Sequence, residues 1–203
     1  MEVARKTIEN DYYFLRQVSD DVDLDKDNYM EYISKLKKYC QNNFVYAMAP
    51  VQIGIPKRLI YIKNTSTSME NNENFEYDEE HIMINPVILR QEGHTRFLEA
   101  CESCKDFVAE VDRPYKIEIE YYNINKVKIK EVLEGFEATV FSHEYDHLNG
   151  ILHLDLANKI LKMSYEERKQ YRLNNPYKIL TKDGIYNLSK KINKDLNKTI
   201  LSL

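Results

Sequence analysis

The feature that most constrains this chain is a pair of histidines, His143 and His147, spaced four positions apart. This spacing is slightly more than one turn of an α-helix, so both imidazoles leave the same face. Glu144 follows the first histidine and can reach a water molecule bound between the two rings. Such an H-E-x-x-H arrangement is typical of a divalent metal site whose carboxylate takes a proton from water. Gly150 is the predicted end of this helix.

A simpler interpretation is a surface helix that carries two histidines by coincidence. The chain has only five histidines in total. Apolar residues also flank the pair, namely Val140, Phe141, Leu148, Ile151 and Leu152. These observations favour a metal site.

The composition predicts one domain, 1–203, because 203 residues can bury a substantial core. Hydrophobic residues make up 43% and charged residues 31%, as in ordinary soluble proteins. No apolar run is long enough for a membrane span, and the net charge of −4 predicts no specific DNA binding. Three cysteines and no apolar signal segment predict a reducing, cytoplasmic location.

The hydrophobic pattern predicts an α+β fold with antiparallel strands around a central helix that carries the HExxH motif. Apolar residues at helical spacing predict an amphipathic helix at 27–41. The predicted strands are 59–62, 81–89, 116–121 and 127–132. The second is interrupted by Asn85 and Pro86, and the last two form a hairpin that leads into the histidine helix.

Two segments differ in charge from the rest. Residues 64–80 hold six acids and no Lys or Arg, which predicts an acidic surface loop. Residues 157–203 hold eleven Lys and Arg against four Asp and Glu. This basic C-terminal extension is interpreted as a solvated helix face, with docking on an anionic partner as the alternative.

Two histidines do not complete a metal site, and the spacing leaves three candidates for the third ligand. His153 completes the longer pattern of the metzincin zinc proteases, in which a glycine ends the helix and a third imidazole returns. Glu166 or Glu167 would serve as a downstream carboxylate ligand. Cys101 lies upstream and would bind as a thiolate.

Three motifs, in order along the chain, resemble those of the peptide deformylases. Residues 45–54 are similar to an altered form of the first motif, G-x-G-L-A-A-x-Q followed by I-G. Residues 99–103, E-A-C-E-S, resemble E-G-C-x-S, and residues 143–147, H-E-Y-D-H, resemble H-E-x-D-H. Order and spacing hold from about residue 11 to 156, which favours this family over the metzincins.

The resemblance implies a metal-dependent hydrolase that removes the N-terminal formyl group from formyl-methionyl peptides of nascent proteins. It implies Fe²⁺ as the native ion, with Zn²⁺, Ni²⁺ or Co²⁺ as possible substitutes. The implied metal ligands are Cys101, His143 and His147. The implied catalytic groups are the Glu144 carboxylate, the Gln52 side-chain amide and the Glu102 backbone N–H.

The resemblance also assigns supporting roles. Glu99, Asp146 and Arg113 would surround and orient the ligands. The implied substrate-binding residues are Val45, Tyr46, Ala47, Phe136, Thr139 and Val140. The backbone of 45–47 would pair with an extended peptide.

The chain departs from the family pattern at several positions. Val45 and Ala47 replace glycines and narrow the peptide cleft, and Ala100 replaces another glycine. Glu102 replaces a leucine, and its carboxylate would bring negative charge beside the oxyanion. Since every implied catalytic group is present, we expect catalysis to be retained.

Two alternatives remain open from the sequence. One is a metzincin-like zinc endopeptidase that uses His153. The other is a catalytically weak, deformylase-like module that binds a peptide, or binds the ribosome through its basic C-terminal region.

Overall fold

The computed structural model describes residues 4–63 and 80–186, in which eight strands form one sheet. The strands are β1 (Ala47–Met48), β2 (Leu59–Lys63), β3 (Glu80–Ala100), β4 (Phe107–Arg113), β5 (Lys116–Tyr122), β6 (Lys128–Glu134), β7 (Ala157–Lys162) and β8 (Lys178–Ile185). The helices are α1 (Tyr12–Leu15), α2 (Tyr29–Asn43), α3 (Phe136–Leu148) and α4 (Tyr165–Asn174). All pairings between these strands are antiparallel, which confirms the predicted α+β class.

The long strand β3 organises the sheet because four other strands pair with it. β2 and β5 pair with its first half, and β4 and β8 pair with its second half. The predicted strand 81–89 was too short, because residues 90–96 of β3 are mostly polar and continue the strand through their pairing with β4, β5 and β8.

The interruption predicted at Asn85 and Pro86 is a bulge within β3. Asn85 has a φ of 51°, in the left-handed region, and the register with β5 shifts just after Ile84. The Asn85 side chain accepts a hydrogen bond from the Val22 N–H at 2.8 Å and donates one to the Val22 carbonyl at 2.9 Å. These bonds attach the segment before α2 to the sheet.

The predicted hairpin is confirmed as β5 and β6, which pair from Lys116 opposite Glu134 to Tyr122 opposite Lys128. Helix α3 follows directly and packs its apolar face on the sheet. Its buried apolar residues Ala138, Phe141 and Leu148 lie in one cluster with Ile60, Met83, Ile117, Ile119 and Leu133. This packing fixes the face of α3 that carries His143 and His147.

The basic C-terminal region is not a single helix. Its described part, 157–186, forms β7, α4 and β8, and both strands join the sheet. The rest of this region, 187–203, lies outside the described residues. Most of the predicted acidic loop, 64–79, also lies outside them, and its last residue, Glu80, begins β3. In the described segments, no helix is long and apolar enough to cross a membrane.

Helix α3 ends at Leu148, and Gly150, the predicted stop signal, follows two residues later with a φ of 68°. A Cβ placed there would lie 2.2 Å from the Arg16 carbonyl oxygen, so the chain approaches too closely for a side chain. The Arg16 guanidinium donates to the Gly150 carbonyl at 3.0 Å and forms two hydrogen bonds with Asp155, which secures this contact.

We predict that Gly150→Ala lowers the free energy of unfolding by about 2–4 kcal/mol, because it combines a left-handed backbone with a backbone clash. Urea unfolding followed by circular dichroism measures the change. Gly184→Ala is the matched control, since Gly184 also has positive φ but a Cβ placed there would meet no atom within 4 Å. Equal losses in the two variants would contradict the role of the Arg16 contact.

Candidate active site

A cavity of about 860 Å³ opens between α3, β1 and the end of β3. It brings together residues from all three motif segments of the sequence. The predicted site residues on its wall are Val45, Tyr46, Ala47, Gln52, Glu99, Cys101, Glu102, Phe136, Thr139, Val140, His143 and Glu144. Of the predicted site residues, Arg113, Asp146 and His147 lie behind this wall.

Cys101, His143 and His147 form a group whose ligand atoms all lie within 4.8 Å of one another. Cys101 follows the last residue of β3, and the histidines lie on α3. The Cys101 Sγ lies 3.2 Å from the His147 Nε2. One thiol and two imidazoles are donors that bind divalent transition metals well.

The surroundings of this group fit a bound metal ion. The His143 Nδ1 lies 2.8 Å from a Glu99 carboxylate oxygen, so it carries the proton and leaves Nε2 as the ligand atom. Burial raises the pKa of the Cys101 thiol to about 12, so a bound cation is what would hold it as a thiolate.

Arg113 anchors the site from behind. Its guanidinium is buried and donates to both Glu99 oxygens, at 2.7 and 2.9 Å, and to Asp146. Although burial opposes the charge, the two carboxylates hold the pKa of Arg113 above its usual range. Burial likewise opposes the charge of Glu99, but Arg113 holds the pKa of Glu99 below its usual range. Glu99 is therefore a fixed anion that orients His143.

Glu144 is 5% exposed, and its Oε2 has no hydrogen-bond partner within the described chain. Burial raises the pKa of this carboxyl to about 7. A carboxyl with these properties can accept and return a proton near neutral pH.

Gln52 comes from a short 3₁₀ helix, Pro50–Ile53, and faces the thiol. Its amide nitrogen lies 3.2 Å from the Ser103 hydroxyl and 3.5 Å from the Cys101 Sγ. The Oε1 of the Gln52 side chain accepts a hydrogen bond from the Ala49 N–H at 3.1 Å, which fixes the orientation of the side-chain amide. An amide donor is thus held beside the candidate metal ligands.

The Glu102 carboxylate forms an ion pair with Arg5 at the mouth of the cavity. The negative charge expected at Glu102 is therefore paired with a cation in the structure. The sequence carried no signal for this pair because the two residues are 97 positions apart.

The wall formed by 45–47 lies at a sheet edge. Within the described residues β1 pairs only with β2, so its other edge is available to an extended peptide. Across the cavity, Phe136, Thr139 and Val140 come from the first turns of α3. The structure thus brings both predicted substrate-binding segments to one cavity.

The other candidate third ligands do not join the two motif histidines. His153 is buried and instead groups with Cys101 and Cys104, a second set whose ligand atoms lie within 4.8 Å. The Glu167 carboxylate accepts the Ser164 N–H at 2.8 Å in a helix cap, and Glu166 is exposed.

Several residues of the cavity wall were not predicted from the sequence. They are Asn43, Phe44, Asp106, Arg5, Phe97, Lys105, Tyr165, Arg168 and Arg172. The last three lie on α4, whose position depends on tertiary packing. The spacing of Arg168 and Arg172 indicates one helix face, but no sequence signal indicated what that face contacts.

Three comparisons identify similar proteins. The sequence model of the polypeptide deformylase family matches residues 6–163. A peptide deformylase of Rhizobium meliloti is 36% identical over 114 residues, which cover 56% of this chain and 62% of that protein. A peptide deformylase of Flavobacterium johnsoniae is 30% identical over 162 residues, covering 76% and 82%.

Among solved structures, a probable peptide deformylase from Synechococcus phage S-SSM7 superposes with a TM-score of 0.66. It is 32% identical, and the match covers 76% of this chain and 99% of that one. The match to the R. meliloti protein, by contrast, spans less than two thirds of that protein's length.

We predict that Arg113→Met lowers the free energy of unfolding by about 3–5 kcal/mol, because Glu99 and Asp146 lose their buried counter-ion. Chemical denaturation measures the loss. Arg96→Met is the control, since Arg96 pairs with Asp112 at 36% side-chain exposure and should contribute under about 1 kcal/mol. Similar losses in both variants would refute the anchoring role of Arg113.

Proposed function

Because this chain belongs to the polypeptide deformylase family, we propose that it removes the N-terminal formyl group from formyl-methionyl peptides of nascent proteins. The observation that carries this proposal is the convergence of Cys101, His143 and His147 beside the buried Glu144. All four lie at positions that match the family motifs, and all but His147 line the same cavity.

The family implies a divalent metal, and we propose Cys101, His143 and His147 as its ligands. Fe²⁺ is the proposed native ion, and the same donor set also suits Zn²⁺, Ni²⁺ or Co²⁺. When bound, the ion supplies Lewis acidity that activates a water molecule and polarises the formyl carbonyl. Glu99 holds the His143 ring in the orientation that binding requires.

The chain's own groups then move the proton and stabilise charge. Glu144 accepts a proton from the attacking water and delivers it to the departing amine of methionine. The Gln52 amide and the Glu102 backbone N–H stabilise the negative charge that develops on the formyl oxygen when water adds to the formyl carbon. The Arg5 ion pair keeps the Glu102 carboxylate from opposing that charge.

The peptide lies along the outer edge of β1, with its backbone paired to 45–47. The methionine side chain occupies the apolar wall formed by Phe136, Thr139 and Val140. Side chains at Val45 and Ala47, in place of glycine, narrow the cleft that the peptide enters.

We predict that Glu144→Gln lowers kcat for formyl-Met-Ala-Ser by about 10²–10⁴-fold, because it removes the proton acceptor. The same protein should keep its metal. Cys101→Ser should instead lose most of the bound metal and, with it, the activity. Anaerobic purification, elemental analysis and a formate-release assay measure both effects.

His153→Ala is the control that separates this proposal from a zinc endopeptidase. It should retain metal, since Cys101, His143 and His147 supply the proposed ligands without it. Because the buried His153 ring lies 5.4 Å from the His143 ring, activity is compared per bound metal ion. Loss of metal in His153→Ala but not in Cys101→Ser would favour the endopeptidase. A metal-loaded wild-type protein without turnover would favour a peptide-binding module.

We further propose that the chain acts in the cytoplasm on peptides emerging from the ribosome, which it contacts through its basic C-terminal region. The exposed strand β8 carries Lys178 and Lys182 at the surface. The three cysteines are free thiols, which suits a reducing compartment.

We predict that Lys178→Glu with Lys182→Glu weakens co-sedimentation with ribosomes at low salt without changing hydrolysis of formyl-Met-Ala-Ser. Electrostatic contacts with ribosomal RNA would be lost, whereas the cavity does not include β8. Lys26→Glu, on the segment before α2, is a control for net charge. Unchanged sedimentation of the double variant would exclude this contact.

A further inference from the structure

Helix α4 builds part of the cavity wall with Tyr165, Arg168 and Arg172. It begins after residue 163, where the family match ends. This part of the wall therefore lies outside the segment that the family's sequence model matches.

Helix α4 is held in a defined position. Ser164 and Glu167 form a capping box that starts the helix. The Arg172 guanidinium donates to the Leu98 carbonyl of β3 at 2.7 and 3.1 Å and lies 4.7 Å from the centre of the Phe97 ring. These contacts hold the arginine face of α4 against the end of β3, beside the candidate metal site.

Both arginines lack a carboxylate partner among the described residues. Arg168 lies over the Tyr165 ring at 5.2 Å, and Arg172 bonds only to a neutral carbonyl. Burial, together with the charge of Arg168, lowers the pKa of Arg172 to about 10. The pair is thus a concentrated, uncompensated positive charge.

The other cations of the wall are neutralised. Arg5 pairs with Glu102, and Lys105 pairs with Glu9. Asp106 also lies on the wall and forms no ion pair within the described chain, so it offsets at most one of the two arginine charges. The remaining wall carboxylates are Glu99, which Arg113 pairs, and Glu144, which is buried beside the candidate metal ligands. The part of the wall formed by α4 therefore carries positive charge.

We propose that Arg168 and Arg172 form a carboxylate-binding subsite that selects formyl-methionyl peptides with Asp or Glu after the methionine. This inference rests on the proposed deformylase function. A guanidinium pair on a partly buried wall binds a carboxylate through charge-assisted, often bidentate hydrogen bonds. Since the subsite does not touch the formyl group, it contributes to substrate binding rather than to the chemical step.

The test compares C-terminally amidated peptides, so that the side chain is the only carboxylate. Formyl-Met-Asp-Ala-amide and formyl-Met-Ala-Asp-amide are measured against their Lys counterparts and against formyl-Met-Ala-Ala-amide. We expect kcat/KM to favour the acidic peptides over the Lys peptides by about tenfold, mainly through KM. The free acid formyl-Met-Ala-Ala, compared with its amide, shows whether a terminal carboxylate is recognised as well.

The variants assign the preference to α4. Arg168→Gln with Arg172→Gln should abolish the preference, measured as the ratio of kcat/KM for acidic and neutral peptides in the same protein, and Arg168→Glu should reverse it. Lys169→Gln removes one charge from the same helix outside the cavity wall and should preserve the preference. Because Arg172 packs on Phe97, the single Arg168→Gln variant tests the same point without disturbing that contact.

The outcomes separate this inference from the proposed function. If the protein hydrolyses the neutral peptide but shows no preference between acidic and Lys peptides, the proposed carboxylate subsite is wrong and the proposed deformylase activity stands. Preference that survives in the double variant also overturns it. Failure of the metal-loaded protein to hydrolyse any formyl peptide overturns both.

Discussion

The site depends on one buried guanidinium, that of Arg113, held between Glu99 and Asp146. It neutralises two carboxylates in the interior, one from the end of β3 and one from α3. Glu99 in turn fixes the His143 ring at 2.8 Å. Without the cation, the strand end that carries Cys101 and the helix that carries the histidines would repel each other through unpaired buried charge.

This arrangement explains why a sheet and a helix can present a metal group that neither contains alone. Cys101 lies just beyond the last residue of β3, where the chain leaves the sheet. The histidines lie on α3, whose opposite side packs on the apolar core. Ligand geometry is therefore set by the packing of α3 on the sheet, and the contact between Gly150 and Arg16 fixes where that helix ends.

Local patterns in the sequence predicted the features that depend on local physics. The spacing of His143 and His147, the helix end at Gly150 and the β5–β6 hairpin each follow from periodicity and backbone preference within a few residues. The third ligand was not decided by spacing, since His153, Glu166 and Cys101 were all possible. Only the resemblance to a family favoured Cys101.

Features that depend on distant partners were not predictable. Residues 90–96 of β3 are mostly polar, and no local pattern indicates that β4 and β8 pair with the second half of this strand. The ion pair of Arg5 with Glu102 joins residues that no local pattern connects. The basic C-terminal region was predicted as a helix face, but its described part also forms β7 and β8. A count of charges does not show that these segments pair with β4 and β3.

The charges around the cavity suit a substrate with an acidic side chain. A leucine-to-glutamate change at Glu102 would by itself disfavour the oxyanion and any anionic substrate. Arg5 pairs with Glu102 at the mouth, and Arg168 and Arg172 add positive charge from α4. The negative charge of the altered motif therefore does not by itself exclude an anionic substrate.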